Sequence, residues 1–339
     1  MEIVTGISRM REISRSVRSG VPAGREERAA GEGNGKAGRG RGPAGARRAG
    51  PRRLGFVPTM GALHEGHLSL VRRAREVSDV VVLSIFVNPK QFGPAEDFER
   101  YPRDLERDAV LAAREGVEFL FTPSTGEIYP PTFSTSVEVE RLSRVMCGAS
   151  RPGHFRGVAT VVLKLLNIIS PDVAVFGAKD FQQWVIIRRM AADLNLDVEL
   201  LLAPIVRETD GLAMSSRNAS LSPAERQAAR ILDRSLHRAR GLFARGERAV
   251  AVIDGAVRGS LEEEPLARID YVAVVDPETL EPVASLSGPT LVAIAVRIGG
   301  TRLIDNVVLG NEKIAPRQSA PDPQLCRPEA AGRKDENVP

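Results

Sequence analysis

The stretch "LGFVPTMGALHEGHLSLVRRAREVSDVVVLSIFVN", Leu54 to Asn88, decides the fold. "LGFV" is a short apolar run, and "PTMG" is the turn after it. From His67 onward, Leu68, Val71, Ala74 and Val77 recur at spacing three and share one helical face. "DVVVLSIFVN" is then β-branched and continuous, the pattern of a strand buried on both faces of a parallel sheet. Strand, helix and strand thus follow in immediate succession.

The alternation continues outward. Downstream, "YPRDLERDAVLAAREGV" predicts a helix ending at Gly116, and "EFLFTP" another strand. "GVATVVLKLLNIIS" reads as an apolar helix, "DVAVFG" as a strand, "KDFQQWVIIRRMAADLN" as a helix and "DVELLLAPIV" as a strand. Upstream, "MEIVTGISRMREISRSVRSG" holds a short strand and a helix with Ile7, Met10 and Ile13 on one face. This order predicts an α/β fold, a Rossmann-like doubly wound parallel sheet with right-handed crossovers. After it the texture changes. Ser222-Pro223 with Glu225 is a helix start. Two helices are expected there, then "RIDYVAVVDPETLEPV" and "TLVAIAVRIGGTRLIDNVVL", which alternate like antiparallel strands. We expect residues 1–207 to form the larger domain and 208–310 a smaller α+β domain.

Composition bounds what such a chain can be. Its 339 residues suffice for about two domains. The net charge of +4 hides an uneven distribution. Residues 20–53 carry nine Lys and Arg against three Glu, or +6, which leaves about −2 for the rest. Ten residues of that segment are Gly, and Val21 is its one β-branched residue. It is expected to be a disordered insertion, because it cannot bury enough apolar surface to offset its ordering entropy. The Pro- and charge-rich tail over 311–339 is expected to be disordered for the same reason. An Arg/Gly-rich tract can hold RNA phosphates, but this one has no Phe or Tyr for base stacking, so no specific nucleic-acid partner is expected. Two widely separated cysteines, Cys147 and Cys326, make neither a disulfide framework nor a zinc pattern. No apolar run reaches membrane-spanning length and no secretory core opens the chain, so we expect a cytoplasmic protein with no membrane contact.

The chemistry-bearing residues fall where strands end, which is where open α/β sheets bind ligands. In "PTMGALHEGH" two of the four histidines, His64 and His67, flank a helix start, whose free N–H groups suit an anion. Their spacing of three, with Gly66 between, is not that of a zinc-binding helix, and His154 and His237 add no metal spacing. "FVNPKQF" puts Asn88 and Gln91 past the next strand, two neutral amides suited to a small substrate with hydroxyl or carboxylate groups. "FGAKDFQQ" adds Gly177 for close approach, Lys179 for phosphate, Asp180 for ribose hydroxyls and Gln183 one helical turn on. "DGLAMSSRN" supplies Met214, Ser215, Ser216 and Arg217, a clamp for polyphosphate. There is no P-loop, and "GRGRGPAG" lies in the Gly-rich tract, away from any strand. Together these loops point to a nucleoside triphosphate.

These residues also carry a resemblance. "HEGH" and "MSSR" resemble the HIGH- and KMSKS-type signatures of the nucleotidyltransferase superfamily. More narrowly, "GFVPTMGALHEGHLSLV", "FVNPKQF", "RPGHFRGVATVV", "FGAKDFQQ" and "DGLAMSSRN" resemble the pantothenate synthetase (pantoate–β-alanine ligase) family over residues 1–18 and about 52–310. The resemblance implies a homodimeric enzyme that adenylates (R)-pantoate with ATP and Mg²⁺, then transfers the pantoyl group to β-alanine. It implies that Met60, Gly61, Ala62, Leu63, His64, Glu65, Gly66 and His67 line the ATP. His67 takes a proton-donor role and His64 supports phosphate. Gly177, Ala178, Lys179 and Asp180 match the ribose and phosphate loop, Val206 the backbone contact to adenine, and Met214 to Arg217 the clamp. Lys179 and Arg217 join the histidines as catalytic candidates. Gln91 and Gln183 hold pantoate, with Asn88 and Arg156 in matching motifs, and Asp108 is the metal candidate. Where the family usually has Glu, this chain has Ala178. A nucleotidyltransferase for a sugar alcohol would share the histidine motif and the clamp without needing the two glutamines. An RNA-binding module would need residues 20–53 instead.

Overall fold

Glu2–Val4 opens the chain as strand β1, and Ile7–Ser19 follows as helix α1, with Met10 and Ile13 buried. The structure, a computed structural model, describes residues 1–20, 50–93, 98–99 and 101–310. The tail expected over 311–339 and nearly all of the insertion expected over 20–53 lie outside the described residues. The chain is described again from Gly50, where the Arg52 N–H bonds the Val17 carbonyl at 3.1 Å. It then enters β2, Leu54–Thr59, at that strand's amino end.

The central alternation follows: α2 (Glu65–Val77), β3 (Val80–Ile85), α3 (Leu105–Arg114) and β4 (Phe119–Phe121). Short helices α4 (Thr125–Ile128) and α5 (Cys147–Ser150) lead to α6 (His154–Ile169), β5 (Val173–Gly177), α7 (Phe181–Asp193) and β6 (Glu199–Ala203). Helix α6 begins three residues before the expected start, because Phe155 joins its buried face. The strands pair in parallel in the order β1-β4-β3-β2-β5-β6, the expected doubly wound sheet. Its continuous apolar runs serve two cores. Leu54, Phe56, Val80 and Val82 pack on one face, and Val57, Val81 and Leu83 on the other.

Beyond β6 come α8 (Pro223–Ala229), α9 (Ile231–Ala244) and α10 (Val250–Glu262). That makes three helices where two were expected, since the helical run divides at Arg230. Ser222 and Glu225 form a reciprocal capping box at the start of α8. β7 (Ala267–Val275), β8 (Thr290–Ile298) and β9 (Thr301–Leu309) form a separate antiparallel sheet. Val275, Leu280, Leu291 and Ala293 from this unit extend the core under the large sheet, so apolar packing ties the two sheets together.

Candidate active site

The carboxyl ends of β2, β3, β5 and β6 open onto one cavity of about 900 Å³. Crossovers leave the neighbouring strands β2 and β5 in opposite directions here, the crevice where open α/β sheets hold ligands. The loop after β2 is shaped from behind by Asp108, which is 1 % exposed. Its Oδ2 accepts the Ala62 N–H at 2.7 Å and its Oδ1 the Leu63 N–H at 2.8 Å. Leu63 is thereby drawn into the core, and α2 starts at Glu65 with His64 as its cap residue. Gly66 leaves room for the His64 ring, since a Cβ there would lie 2.9 Å from it and push it aside. The His64 and His67 rings stack, with centroids 4.0 Å apart and planes at 27°.

This stacked pair is electrically neutral at pH 7. Burial, and then the Lys179 ammonium, push His64 down to about 4. Burial, His64 and Lys179 push His67 down to about 3. The pair therefore brings hydrogen-bonding nitrogens to the cavity, and the Nδ1 atom of each ring is buried without a hydrogen-bond partner among the described residues.

Charge comes from the opposite walls. After β5, a tight 3₁₀ turn over Ala178–Asp180 presents Lys179, its Nζ 3.3 Å from Asp180 Oδ2. Burial raises the Asp180 carboxyl, but Lys179, Arg217 and His154 outweigh it and hold the group below its usual range. Its side chain is 48 % exposed, yet that exposure is to the cavity, which is why both effects operate. The turn is gripped from the small sheet, where Asn306 Nδ2 donates to the carbonyls of Ala178 and Lys179.

The clamp sits on a hairpin closed by a bridge between Arg207 and Ala213 and by the Met214 N–H on the Val206 carbonyl at 3.0 Å. Its base is braced. Arg226 pairs with Glu208 at 2.7 Å and Asp210 at 2.8 Å, and Asn218 Nδ2 donates to Glu208 at 2.7 Å. Arg207 forks onto the buried Asp305 at 2.7 and 3.0 Å and lies 3.1 Å from Asp233. Met214, Ser215, Ser216 and Arg217 then line the cavity, with Ser216 Oγ 3.5 Å from the Tyr101 hydroxyl.

Most of the expected residues thus meet in one place. Met60, His64, Gly66 and His67 share the cavity with Asn88, Gln91, Arg156, Gln183, Val206 and the turn and clamp residues. Others are kept off the wall. Ala62 and Leu63 are held by Asp108, as above. Glu65 faces outward to Arg72, and Ala178 gives its carbonyl to Asn306. Gly61 packs behind the loop, where a Cβ would lie 3.0 Å from Asp108 Oδ2. At Asp108, the metal candidate, both oxygens accept backbone N–H groups, which gives the residue a structural role in shaping the loop. Asp180 is a carboxylate that does face the cavity. No group of three or more His, Cys, Asp or Glu with metal-binding geometry occurs among the described residues. That donor set suits a Mg²⁺ ion held chiefly by substrate phosphate oxygens.

Comparison with known proteins then decides the family. The pantoate–β-alanine ligase family model matches residues 41–308. The chain belongs to the pantoate–β-alanine ligase family. It is 58 % identical to the pantothenate synthetase of Pelotomaculum thermopropionicum over 78 % of this chain and 93 % of that one. It is 61 % identical to that of Heliobacterium modesticaldum over 76 % and 92 %. Among solved structures, the pantothenate synthetase of Thermus thermophilus superposes with a TM-score of 0.79 at 42 % identity, over 92 % of this chain and 100 % of that one. The pantoate–β-alanine ligase of Francisella tularensis, complexed with β,γ-ATP and β-alanine, superposes with a TM-score of 0.69 at 29 % identity, over 92 % and 98 %.

Within this ligase fold, sequence reading missed four residues at the site: Tyr101, Arg151, His154 and Asn306. His154 Nδ1 donates to the Gln91 carbonyl at 2.8 Å, and its Nε2 accepts from Arg151 at 3.0 Å. A signal existed for Asn306, since "DN" is an adjacent polar pair inside the otherwise apolar strand "LIDNVVL". Arg151 and His154 lie inside the motif "RPGHFRGVATVV", whose role went unread, and Tyr101 carries no comparable signal because it acts across a long sequence separation.

Proposed function

We propose that this chain joins (R)-pantoate to β-alanine in an ATP-dependent ligation through a pantoyl-adenylate, releasing AMP and pyrophosphate. The observation that carries the reading is the convergence of the His64–His67 pair, the Lys179 turn and the Arg217 clamp on one cavity, in a chain of this family. The ATP and β-alanine named for the Francisella neighbour support it. Residues 1–207 bind the substrates, 208–310 form the smaller lid domain, and the chain works as a cytoplasmic homodimer. No helix among the described residues is long and apolar enough to cross a membrane.

In the first step a pantoate carboxylate oxygen attacks the α-phosphorus of ATP. An O–P bond forms, the bond to pyrophosphate breaks, and its electron pair leaves with pyrophosphate. Lys179 and Arg217 offset the charge gathering on the phosphate oxygens, while the N-terminus of α2 and the neutral imidazoles of His64 and His67 donate hydrogen bonds. His67, neutral at pH 7, takes a hydrogen-bond-donor role toward the leaving oxygen in place of the expected proton-donor role. Gln91 and Gln183 hold pantoate in line, which removes much of the orientational barrier. In the second step the β-alanine amine attacks the acyl carbon, a C–N bond forms, the C–O bond to AMP breaks, and the amine releases a proton. Asp180, on the cavity wall, would help hold a Mg²⁺ ion, which would supply neutralisation of triphosphate charge when bound. The test is pyrophosphate release by the purified chain with ATP, Mg²⁺ and pantoate, with and without β-alanine. Release that does not depend on pantoate sinks the reading.

A further inference from the structure

Around Gln91 the hydrogen bonds run in one direction, and two backbone groups fix that direction. The Lys90 N–H, which can only donate, points at one terminal atom of the Asn88 side chain at 3.3 Å. That atom is therefore Oδ1. The Gly157 carbonyl, which can only accept, faces the other terminal atom at 3.1 Å. That atom is Nδ2. The same Nδ2 lies 3.0 Å from the Gln91 amide, so the Gln91 atom facing it is Oε1. Gln91 Nε2 is left pointing the other way, on the cavity side, where one of its two N–H groups donates to Met60 Sδ at 3.2 Å.

One partner completes the chain from outside the cavity. The Tyr129 hydroxyl lies 2.8 Å from Asn88 Oδ1 and must donate to it. Oδ1 then carries two donors and Nδ2 two acceptors, which saturates Asn88, a side chain only 1 % exposed. Burial raises the Tyr129 phenol well above its usual range, so it keeps its proton. Its ring is wedged against Phe133 at 5.0 Å and Phe86 at 6.1 Å, under the Lys90 and Lys164 ammonium groups. The main chain is fixed independently. A Cβ on Gly157 would collide with the Lys90 carbonyl, and His154 Nδ1 holds the Gln91 carbonyl.

We infer that Tyr129 is a positioning residue for the ligation: its hydroxyl joins the Lys90 N–H and the Gly157 carbonyl in locking Asn88, and through Asn88 it holds the Nε2 end of the Gln91 amide toward the cavity, so that Gln91 meets the acid substrate as a donor. The inference rests on the pantoate reading above, since pantoate supplies hydroxyl and carboxylate oxygens as acceptors. Turned over, the amide would present Oε1 to the acceptor-only carboxylate oxygens and repel them, and it could then accept only from a hydroxyl.

The test compares wild type, Tyr129→Phe and Asn88→Asp by steady-state pyrophosphate release. Y129F keeps the ring and its packing. Its KM for pantoate should rise about tenfold, the scale of one buried hydrogen bond, while its KM for ATP stays within about twofold. N88D removes the donor to Gln91 with Tyr129 intact and should raise the pantoate KM by a similar factor, which keeps the test open if Y129F does not fold. Replacing Tyr129 by 4-aminophenylalanine, which restores a donor at the ring tip, should bring the pantoate KM back toward wild type. A pantoate KM unchanged in folded Y129F or N88D overturns the inference, as does an equal rise in the KM for ATP. A wild-type chain with no pantoate-dependent release overturns the ligase reading and this inference with it.

Discussion

Asn306 reaches from the small sheet to the backbone of Lys179, donating through Nδ2 to that carbonyl and to the neighbouring Ala178 carbonyl, each at 2.9 Å. One buried side chain therefore joins the second unit to the turn that carries the cavity's lysine. Asn306→Ala should raise the KM for ATP more than the KM for pantoate. It should cost about 1–3 kcal/mol in chemical denaturation, the scale for leaving buried polar groups unpaired. Equal effects on both substrates would argue against a specific hold on the Lys179 turn.

His67→Ala should lower pantoate-dependent pyrophosphate release by about 100-fold or more, the usual cost of one well-placed donor at developing charge. Its unfolding midpoint should change far less. Turnover within a few-fold of wild type would remove His67 from the chemistry.

The two histidines also make a prediction about acid. In the folded chain they stay unprotonated down to about 4 and about 3, whereas the unfolded chain takes up protons near 6.5. The unfolded state binds more protons across that window, so their contribution to stability is present at pH 7 and is lost as pH falls from about 6.5 toward those values. The melting temperature should drop between pH 7 and pH 5, and drop less in a His64→Gln, His67→Gln double variant. Parallel slopes for the two proteins would contradict the neutral, buried pair.

Asp108 separates a structural from a metal role. Asp108→Ala leaves the Ala62 and Leu63 N–H groups without their carboxylate and should cost about 2–4 kcal/mol of stability, with activity falling as the histidine loop loosens. The Mg²⁺ concentration at half-maximal activity should stay the same. A shifted Mg²⁺ midpoint with unchanged stability would return Asp108 to the metal.

The legible part of this protein is the part written in local periodicity. Val80 to Leu83 serve two cores, and so their run is continuous; in the small sheet β7 alternates between buried and open positions, whereas its central neighbour β8 is buried at all but one position. Loops at strand ends place Lys179 and the stacked histidines without any knowledge of contacts. What stayed hidden depends on chain segments meeting at long range. Asp108 reads as an ordinary acidic residue in the first turn of α3, and only its meeting with two N–H groups more than forty residues earlier gives it a role. Tyr129 and His154 reach Gln91 in the same way, through elements with no local signal that they converge.

The chain leaves the described fold at Gly20 and returns at Gly50, just ahead of the amino end of β2, while the cavity opens at that strand's other end. Six strand residues separate the two poles, about 20 Å of extended backbone. The amino pole is therefore a handle. A fluorophore, an affinity module or a surface tether attached at Gly20 or Gly50 sits at the end of the sheet remote from the nucleotide cavity.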